Sequence, residues 1–323
     1  MVTREEINII IQKMSVYLDN VQMIKLQEIL AGVSDNTDIE DVKSSEELLE
    51  LFIAVKRLEG RSELTLGMYK HNIEKLLASV DKNVCLLNTD DIRAFLSDYR
   101  REKGISKVTL DNMRRNLLCF YNWLEDESYI FQNPLRRIHK IKAPIQVKET
   151  YSDEELKKMR DACKNTRDLA IVDFLNSTGV RVSELVNLDI SDIDFEEREC
   201  VVLGKGDKER VAYFDARTKL HLEEYISRRK DDNSALWVSN KVSYERMHAS
   251  GVERMPRKLG KRCGIAKVYP HKFRRTMATV AIDKGMAIEQ VQQLLGHEKI
   301  DTTLRYAQVK QNNVKMSHKK YFG

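Results

Sequence analysis

Cys200-Val201-Val202-Leu203, then Gly204-Lys205-Gly206-Asp207-Lys208-Glu209, then Arg210-Val211-Ala212-Tyr213-Phe214, is the one stretch that breaks an otherwise helical pattern. Two apolar, β-branched runs around a polar turn with two glycines predict a β-hairpin. Outward from it the period becomes helical. Upstream, Ser152 and Glu155 form a capping box that opens onto Leu156, Met159 and Cys163 on one face. Downstream, Ile288, Val291 and Leu295 make a helix face and Gly296 stops it. His297 follows, and Asp301 is expected to cap a short helix carrying Tyr306 one turn in. The reading is mainly α with a small β-hairpin or sheet in the C-terminal part.

The N-terminal half repeats the helical signal without strands. Ile7, Ile10, Ile11, Met14 and Leu18 predict a first amphipathic helix, and Met23, Leu26 and Leu30 a short second one. A polar, acidic stretch over 32–43 then separates this hairpin from Ser44 and Glu47, a capping box before Leu48, Leu51, Phe52 and Val55. Further helices are expected over 64–77, 89–101 and 109–127, with Ile92, Phe95, Leu117, Phe120 and Leu124 among their core residues. A basic run, Arg136, Arg137, Lys140 and Lys142, precedes Pro144 and an extended stretch. These breaks divide the chain into an N-terminal helical hairpin extension (1–43), a helical domain (44–140), a basic linker (141–150) and a C-terminal domain (151–323).

Composition bounds the function. The 323 residues are 42% hydrophobic and 33% charged, a globular balance. The length suits two domains with real cores, or three. No apolar run reaches the roughly 18 residues of a membrane span, and no signal-peptide pattern opens the chain, so a cytoplasmic location is expected. Cys85, Cys119, Cys163, Cys200 and Cys263 are scattered, which argues against a disulfide framework or a cysteine metal site. The formal net charge is +5, and residues 151–323 carry 33 basic against 26 acidic side chains. That modest excess suits a polyanion and suits solvated helix faces equally well.

Four segments carry the chemistry: Thr178-Gly179-Val180-Arg181-Val182-Ser183-Glu184-Leu185, Gly204-Lys205-Gly206, His271-Lys272-Phe273-Arg274, and Leu295-Gly296-His297 followed by Tyr306. Each alone is unremarkable. A phosphodiester under attack develops charge on its non-bridging oxygens, and forked guanidiniums such as Arg181 and Arg274 clamp that charge better than lysine does. A tyrosine phenol, with a reference pKa of about 10, needs a base and a positive environment to act as a nucleophile. His271, one helical turn from Arg274, can supply the base. Lys205 can protonate a leaving oxygen, and His297 can donate a hydrogen bond to the phosphate. His271 and His297 lie far apart in sequence without clustered carboxylates, and no metal or other cofactor is expected. His221, His248 and His318 are read as solvent or core histidines.

In order and spacing the four segments resemble the catalytic signature of the tyrosine recombinases, the integrase family of site-specific DNA recombinases. The likeness covers roughly residues 44–323. It implies an α-helical core-binding domain that clamps DNA, followed by a mixed α+β catalytic domain. Its arginine pair falls on Arg181 and Arg274, its hairpin lysine on Lys205, its histidines on His271 and His297, its acidic helper on Glu184 and its nucleophile on Tyr306. Phe273 stands where a leucine is common. The resemblance implies double-stranded DNA as partner, a covalent 3′-phosphotyrosyl intermediate and a homo-tetramer on two DNA sites, with the tail over 312–323 packing on a neighbour. Arg136, Arg137, Lys140, Lys142, Lys208 and Arg210 are expected DNA contacts. The integrase of a mobile element is the first expectation and a Xer-type enzyme that resolves chromosome dimers the alternative. A DNA-binding protein without catalysis and a type IB topoisomerase are further apart.

Overall fold

The computed structural model describes residues 4–18, 20–31, 43–144, 149–204, 208–240, 243–304 and 306. The chain divides into two compact units, Met1–Ile145 and Gln146–Gly323. Among the described residues no helix is long and apolar enough to cross a membrane.

The first unit is helical: α1 (Arg4–Met14), α2 (Asn20–Ala31), α3 (Ser45–Leu58), α4 (Glu63–Leu77), α5 (Thr89–Lys103) and α6 (Lys107–Asp126). Its helices start where side-chain caps allow. Ser44 and Glu47 close the expected capping box on α3, and Asn88 with Asp91 closes another on α5. The core centres on α6, where Leu117, Phe120, Tyr121 and Leu124 are fully buried, and Phe52 of α3 meets Phe120 edge-on at 5.2 Å. Asn20 ties α2 to this body through the backbone of Phe131 and Gln132.

The exit of the first unit explains how an exposed basic run is held in place. On α6, Asp111 and Arg114 form a buried ion pair at 2.9 Å. Asp111 also accepts from the Ile141 backbone N–H at 3.0 Å, and Arg114 donates to the Ile138 carbonyl at 3.4 Å. The backbone between is therefore fixed while Arg136, Arg137, Lys140 and Lys142 stay exposed. Of the linker over 141–150, residues 145–148 lie outside the described residues.

The second unit runs α7 (Asp153–Asp161), α8 (Thr166–Thr178), α9 (Val182–Asn187), β1 (Ile193–Asp194), β2 (Glu199–Leu203), β3 (Glu209–Tyr213), α10 (Ala216–Ser227), α11 (Ala249–Cys263), α12 (Pro270–Asp283), α13 (Ile288–Leu295) and α14 (Ile300–Leu304). The Ser152–Glu155 capping box opens α7. The hairpin forms as expected, with Cys200 opposite Ala212 and Val202 opposite Arg210. A third strand joins it, β1 antiparallel to β2. Two residues are too few to show alternation, so β1 has no sequence signal.

Helix α8 is the hub of this unit. Its residues 170–175 are all buried, and Trp237 lies edge-on to Phe174 and stacks on Tyr225 of α10. Buried in this apolar surround is Asp173, 1% exposed, bonded to Arg160 Nε of α7 at 2.5 Å and His221 Nδ1 of α10 at 2.6 Å. One carboxylate thus pins three helices. Replacing Asp173 with Ala strands the Arg160 guanidinium and should cost the full-length protein about 3–5 kcal/mol of stability. Denaturant unfolding followed by Trp237 fluorescence in a Trp123→Phe background, which leaves Trp237 as the one tryptophan, measures this, and a loss below about 1 kcal/mol would mean the pair behaves as a surface salt bridge.

Candidate active site

Two glycines set the stage. Gly179 ends α8 at φ 61° and Gly296 ends α13 at φ 62°, the left-handed stops expected from their sequence positions. A Cβ on Gly296 would also lie 2.6 Å from Arg210 Cδ, in a side chain held at its guanidinium, while one on Gly179 would lie 2.3 Å from Met277 Cε, the movable end of a flexible side chain. Both helix ends present backbone carbonyls that have no partner within their own helix.

Three guanidiniums satisfy those carbonyls. Arg274 of α12 donates to the Gly179 and Leu295 carbonyls at 2.6 and 2.5 Å. Arg210 of β3 donates to Leu294 O at 2.8 Å, and Arg181 to Gly296 O at 3.2 Å. Cations at a helix C-terminus also meet the negative end of its dipole. Glu184, 2% exposed, is among the described residues the one carboxylate bonded to this group. It accepts from Arg181 Nη1 at 2.6 Å, the Arg181 backbone N–H at 2.8 Å and Arg210 Nη2 at 2.7 Å. Burial alone would raise its pKa, yet the backbone N–H of Arg181, the Arg210 guanidinium and the Arg181 side chain together hold it below the ordinary carboxylate value.

Three cations against one anion leave an uncompensated positive excess in a largely covered place. Its effect is seen on the neighbours. Burial, then repulsion from Arg181 and Arg210, brings the Arg274 pKa down to about 10, so Arg274 stays charged at neutral pH. Burial and the charges of Arg274, Arg181 and Arg210 push His297 down to about 4, so its ring is neutral. His297 Nε2 lies 3.1 Å from Arg274 Nη2, and Nδ1 lies 2.8 Å from Thr303 Oγ1. Gln292 Nε2 donates to its carbonyl at 2.9 Å.

Tyr306 stacks on His297, ring centroids 5.8 Å apart and planes 26° from parallel. It also packs against the small cluster of Ala278, Val291 and Leu295. Two details differ from the sequence reading. Asp301 lies inside the first turn of α14 rather than at its cap. The helix ends at Leu304, where the Tyr306 N–H bonds the Thr303 carbonyl at 2.8 Å. That short i→i−3 closure replaces continued helix, so the tyrosine sits on a turn.

Arg181, Glu184, Arg274, His297 and Tyr306 thus come together. His271 is exposed in the first turn of α12, one turn before Arg274. Lys205 lies outside the described residues, between Gly204 and Lys208, whose N–H···O bond of 2.8 Å closes the hairpin. Lys208 is exposed and pairs with Glu298 at 3.3 Å. Arg210 does not face outward with Lys208. Its side chain is 10% exposed and spent on Glu184 and Leu294, so it braces the site from within. The strand's alternation carried that signal, since Arg210 shares the inward face with Ala212. Thr303 and Gln292 were not picked out, because a single hydroxyl or amide has no sequence pattern. Among the described residues no three His, Cys, Asp or Glu side chains gather as metal ligands.

Comparison with known proteins matches the chain to a family. The sequence profile described as the phage integrase family matches residues 149–313, and that of the phage integrase N-terminal SAM-like domain matches 48–130. The chain is 33% identical over 275 residues to tyrosine recombinase XerA of Pyrococcus furiosus, covering 83% of this chain and 92% of that protein. It is 32% identical over 261 residues to tyrosine recombinase XerC of Staphylococcus aureus, covering 77% and 87%. In fold it is similar to the XerH site-specific recombinase bound to a palindromic difH substrate in a post-cleavage complex. The TM-score is 0.68 at 20% identity, over 96% of this chain and 93% of that one.

The charge excess has a direct readout. In an NMR titration His297 should stay neutral through pH 6 and take up its proton near pH 4, below the usual value of about 6.5. The unfolded chain binds that proton first, so this group's contribution to stability falls as pH drops from about 6.5 towards 4. A midpoint near 6.5 would mean that neither burial nor the three guanidiniums act on the ring.

Proposed function

Because the chain belongs to the phage integrase family, the tyrosine recombinases, we propose that it is a site-specific DNA recombinase that cleaves and rejoins double-stranded DNA through Tyr306. The observation that carries this reading is the group of three guanidiniums around one carboxylate beside that tyrosine. Such a site is short of an anion, and a DNA phosphate is the anion that also gives a phenol something to attack.

The step balances as follows. The Tyr306 Oη forms a bond to the scissile phosphorus and its proton passes to His271. Charge that builds on the non-bridging oxygens is met by Arg181 and Arg274 and by a hydrogen bond from His297. The bond from phosphorus to the 5′-oxygen breaks, and that oxygen takes a proton from Lys205. The product is a 3′-phosphotyrosyl linkage and a free 5′-hydroxyl. Attack by the 5′-hydroxyl of a partner duplex reverses the chemistry and exchanges strands, so no nucleotide is consumed. The arginines and Lys205 supply the positive charge, and cleavage needs no divalent ion.

In this reading residues 44–140 form the core-binding domain, 1–43 an extension of it, 141–150 the linker and 151–323 the catalytic domain. Arg136, Arg137, Lys140, Lys142 and Lys208 contact DNA phosphates, which supply most of the affinity and its salt dependence. The working assembly is a tetramer on two DNA sites in the cytoplasm, and integration or excision of a mobile element is its task. Resolution of chromosome dimers is the second reading, favoured by the likeness to proteins named XerA and XerC. Sequencing the genomic DNA that becomes covalently attached separates the two: one element's ends for the first, one chromosomal locus for the second.

Two outcomes are expected on a suicide duplex carrying the site so found. Tyr306→Phe should bind it with unchanged affinity and capture none covalently, and capture at the wild-type level would remove Tyr306 as nucleophile. Lys205→Ala should fail on ordinary DNA but recover on a duplex with sulfur in place of the scissile 5′-oxygen, a leaving group that needs no proton. Equal defects on both duplexes would leave Lys205 as a phosphate contact only.

A further inference from the structure

Arginine carries donors and no acceptor, so the nitrogen of His297 that Arg274 meets, Nε2, must be the acceptor. A neutral ring then holds its proton on Nδ1 and donates it to Thr303 Oγ1, 2.8 Å away. Thr303 is fully buried, so bulk water does not take the place of its hydroxyl. The role proposed above for His297 needs the opposite arrangement, with the proton on Nε2 and aimed at a phosphate oxygen. Adding a second proton to reach it is opposed by every cation around the ring. Arg274 faces it from α12, Arg181 from the start of α9 and Arg210 from β3, against Glu184 alone, with Tyr306 stacked alongside.

The remaining route keeps the ring neutral: His297 is only half-buried, so when its bond to Thr303 opens the ring can exchange protons with water, Nδ1 losing one and Nε2 gaining one with no net change. Nδ1 is then a lone pair in a buried wall and needs a donor, where a moment earlier it needed an acceptor. Among buried side chains a hydroxyl serves as both by turning about its C–O bond.

We propose that Thr303 is a positioning residue. Its hydroxyl accepts from His297 Nδ1 while the site is empty and donates to it once a phosphate oxygen has drawn off the Arg274 N–H, leaving Nε2 to carry the proton towards the phosphate. The proposal rests on His297 being that phosphate donor. The sequence offers the means to test it, since Ser keeps the hydroxyl and Val keeps the shape.

The test uses the full chain in two measurements. Side-chain ¹⁵N shifts of the DNA-free protein, with His297 assigned by comparison with His297→Ala, should show the proton on Nδ1 in the wild type and in Thr303→Ser. A proton on Nε2 in the wild type would overturn the proposal by itself. Covalent capture on the suicide duplex should fall about 100- to 1000-fold in His297→Ala and at least about tenfold in Thr303→Val, part of that loss. Thr303→Ser should stay within about twofold of wild type. In a His297→Ala background Thr303→Val should change nothing further, because its effect runs through the ring. An equal additional loss there, or a Ser variant as poor as the Val variant, would make Thr303 merely structural and overturn the proposal. If His297→Ala itself captures DNA like the wild type, the phosphate-donor reading fails, and the ¹⁵N shifts still report on the Thr303 bond separately.

Discussion

The C-terminal carbonyls of α13 and the three arginines that bind them are the constraint on which the second unit depends. Leu294, Leu295 and Gly296 each give a carbonyl to a different guanidinium, from β3, α12 and the start of α9. One helix end therefore sets the relative position of the hairpin, the helix that carries His271 and Arg274, and the turn that carries Arg181. His297 follows in the next residue, and Thr303 fixes its ring from α14. Glu184 keeps two of the three cations from repelling one another apart. Among the described residues it is the single carboxylate bonded there, so the group remains positive, and burial first and then this charge lower the pKa values of Arg274 and His297.

That arrangement explains why glycine stands at 179 and 296. Each must turn left-handed to end its helix, and each also lets an incoming side chain pass where a Cβ would stand. The same economy appears in the first unit, where the buried Asp111–Arg114 pair fixes backbone on the far side of a solvent-facing basic run. Beside the Asp173 group, which ties helices together, the buried pairs Asp111–Arg114 and Glu184–Arg210 also serve position. They hold exposed or reactive groups in one arrangement.

Much of this was legible in the chain. Capping boxes at Ser44 and Ser152 and the glycine stops mark helix ends through local hydrogen bonding, which sequence spacing reports well. The hairpin was marked by β-branched runs on both sides of Gly204 and Gly206. Arg181, Glu184, Arg274, His297 and Tyr306 could be singled out because their order and spacing resemble the tyrosine recombinase signature, and phosphoryl chemistry makes sense of the arginines, the histidine and the tyrosine. What was not legible depends on tertiary contact. Strand β1 is formed by its partner rather than by its own two residues. Arg210 looks like Lys208 by residue type, and although the alternation of β3 places it inward, only its contacts with Glu184 and Leu294 make it a brace. Thr303 has meaning only beside His297. The short α14 ends before Tyr306 because the backbone closes onto Thr303, a choice that the residue pattern of a helix start does not encode.

The central claim is that a phosphate meets the three guanidiniums and becomes joined to Tyr306. Mass spectrometry of the wild-type adduct, after nuclease trimming and proteolysis, tests it most directly. The account predicts one modified peptide with the nucleotide attached to Tyr306 through its 3′-phosphate and a free 5′-hydroxyl on the released strand. Attachment at another residue, or through a 5′-phosphate, would contradict it.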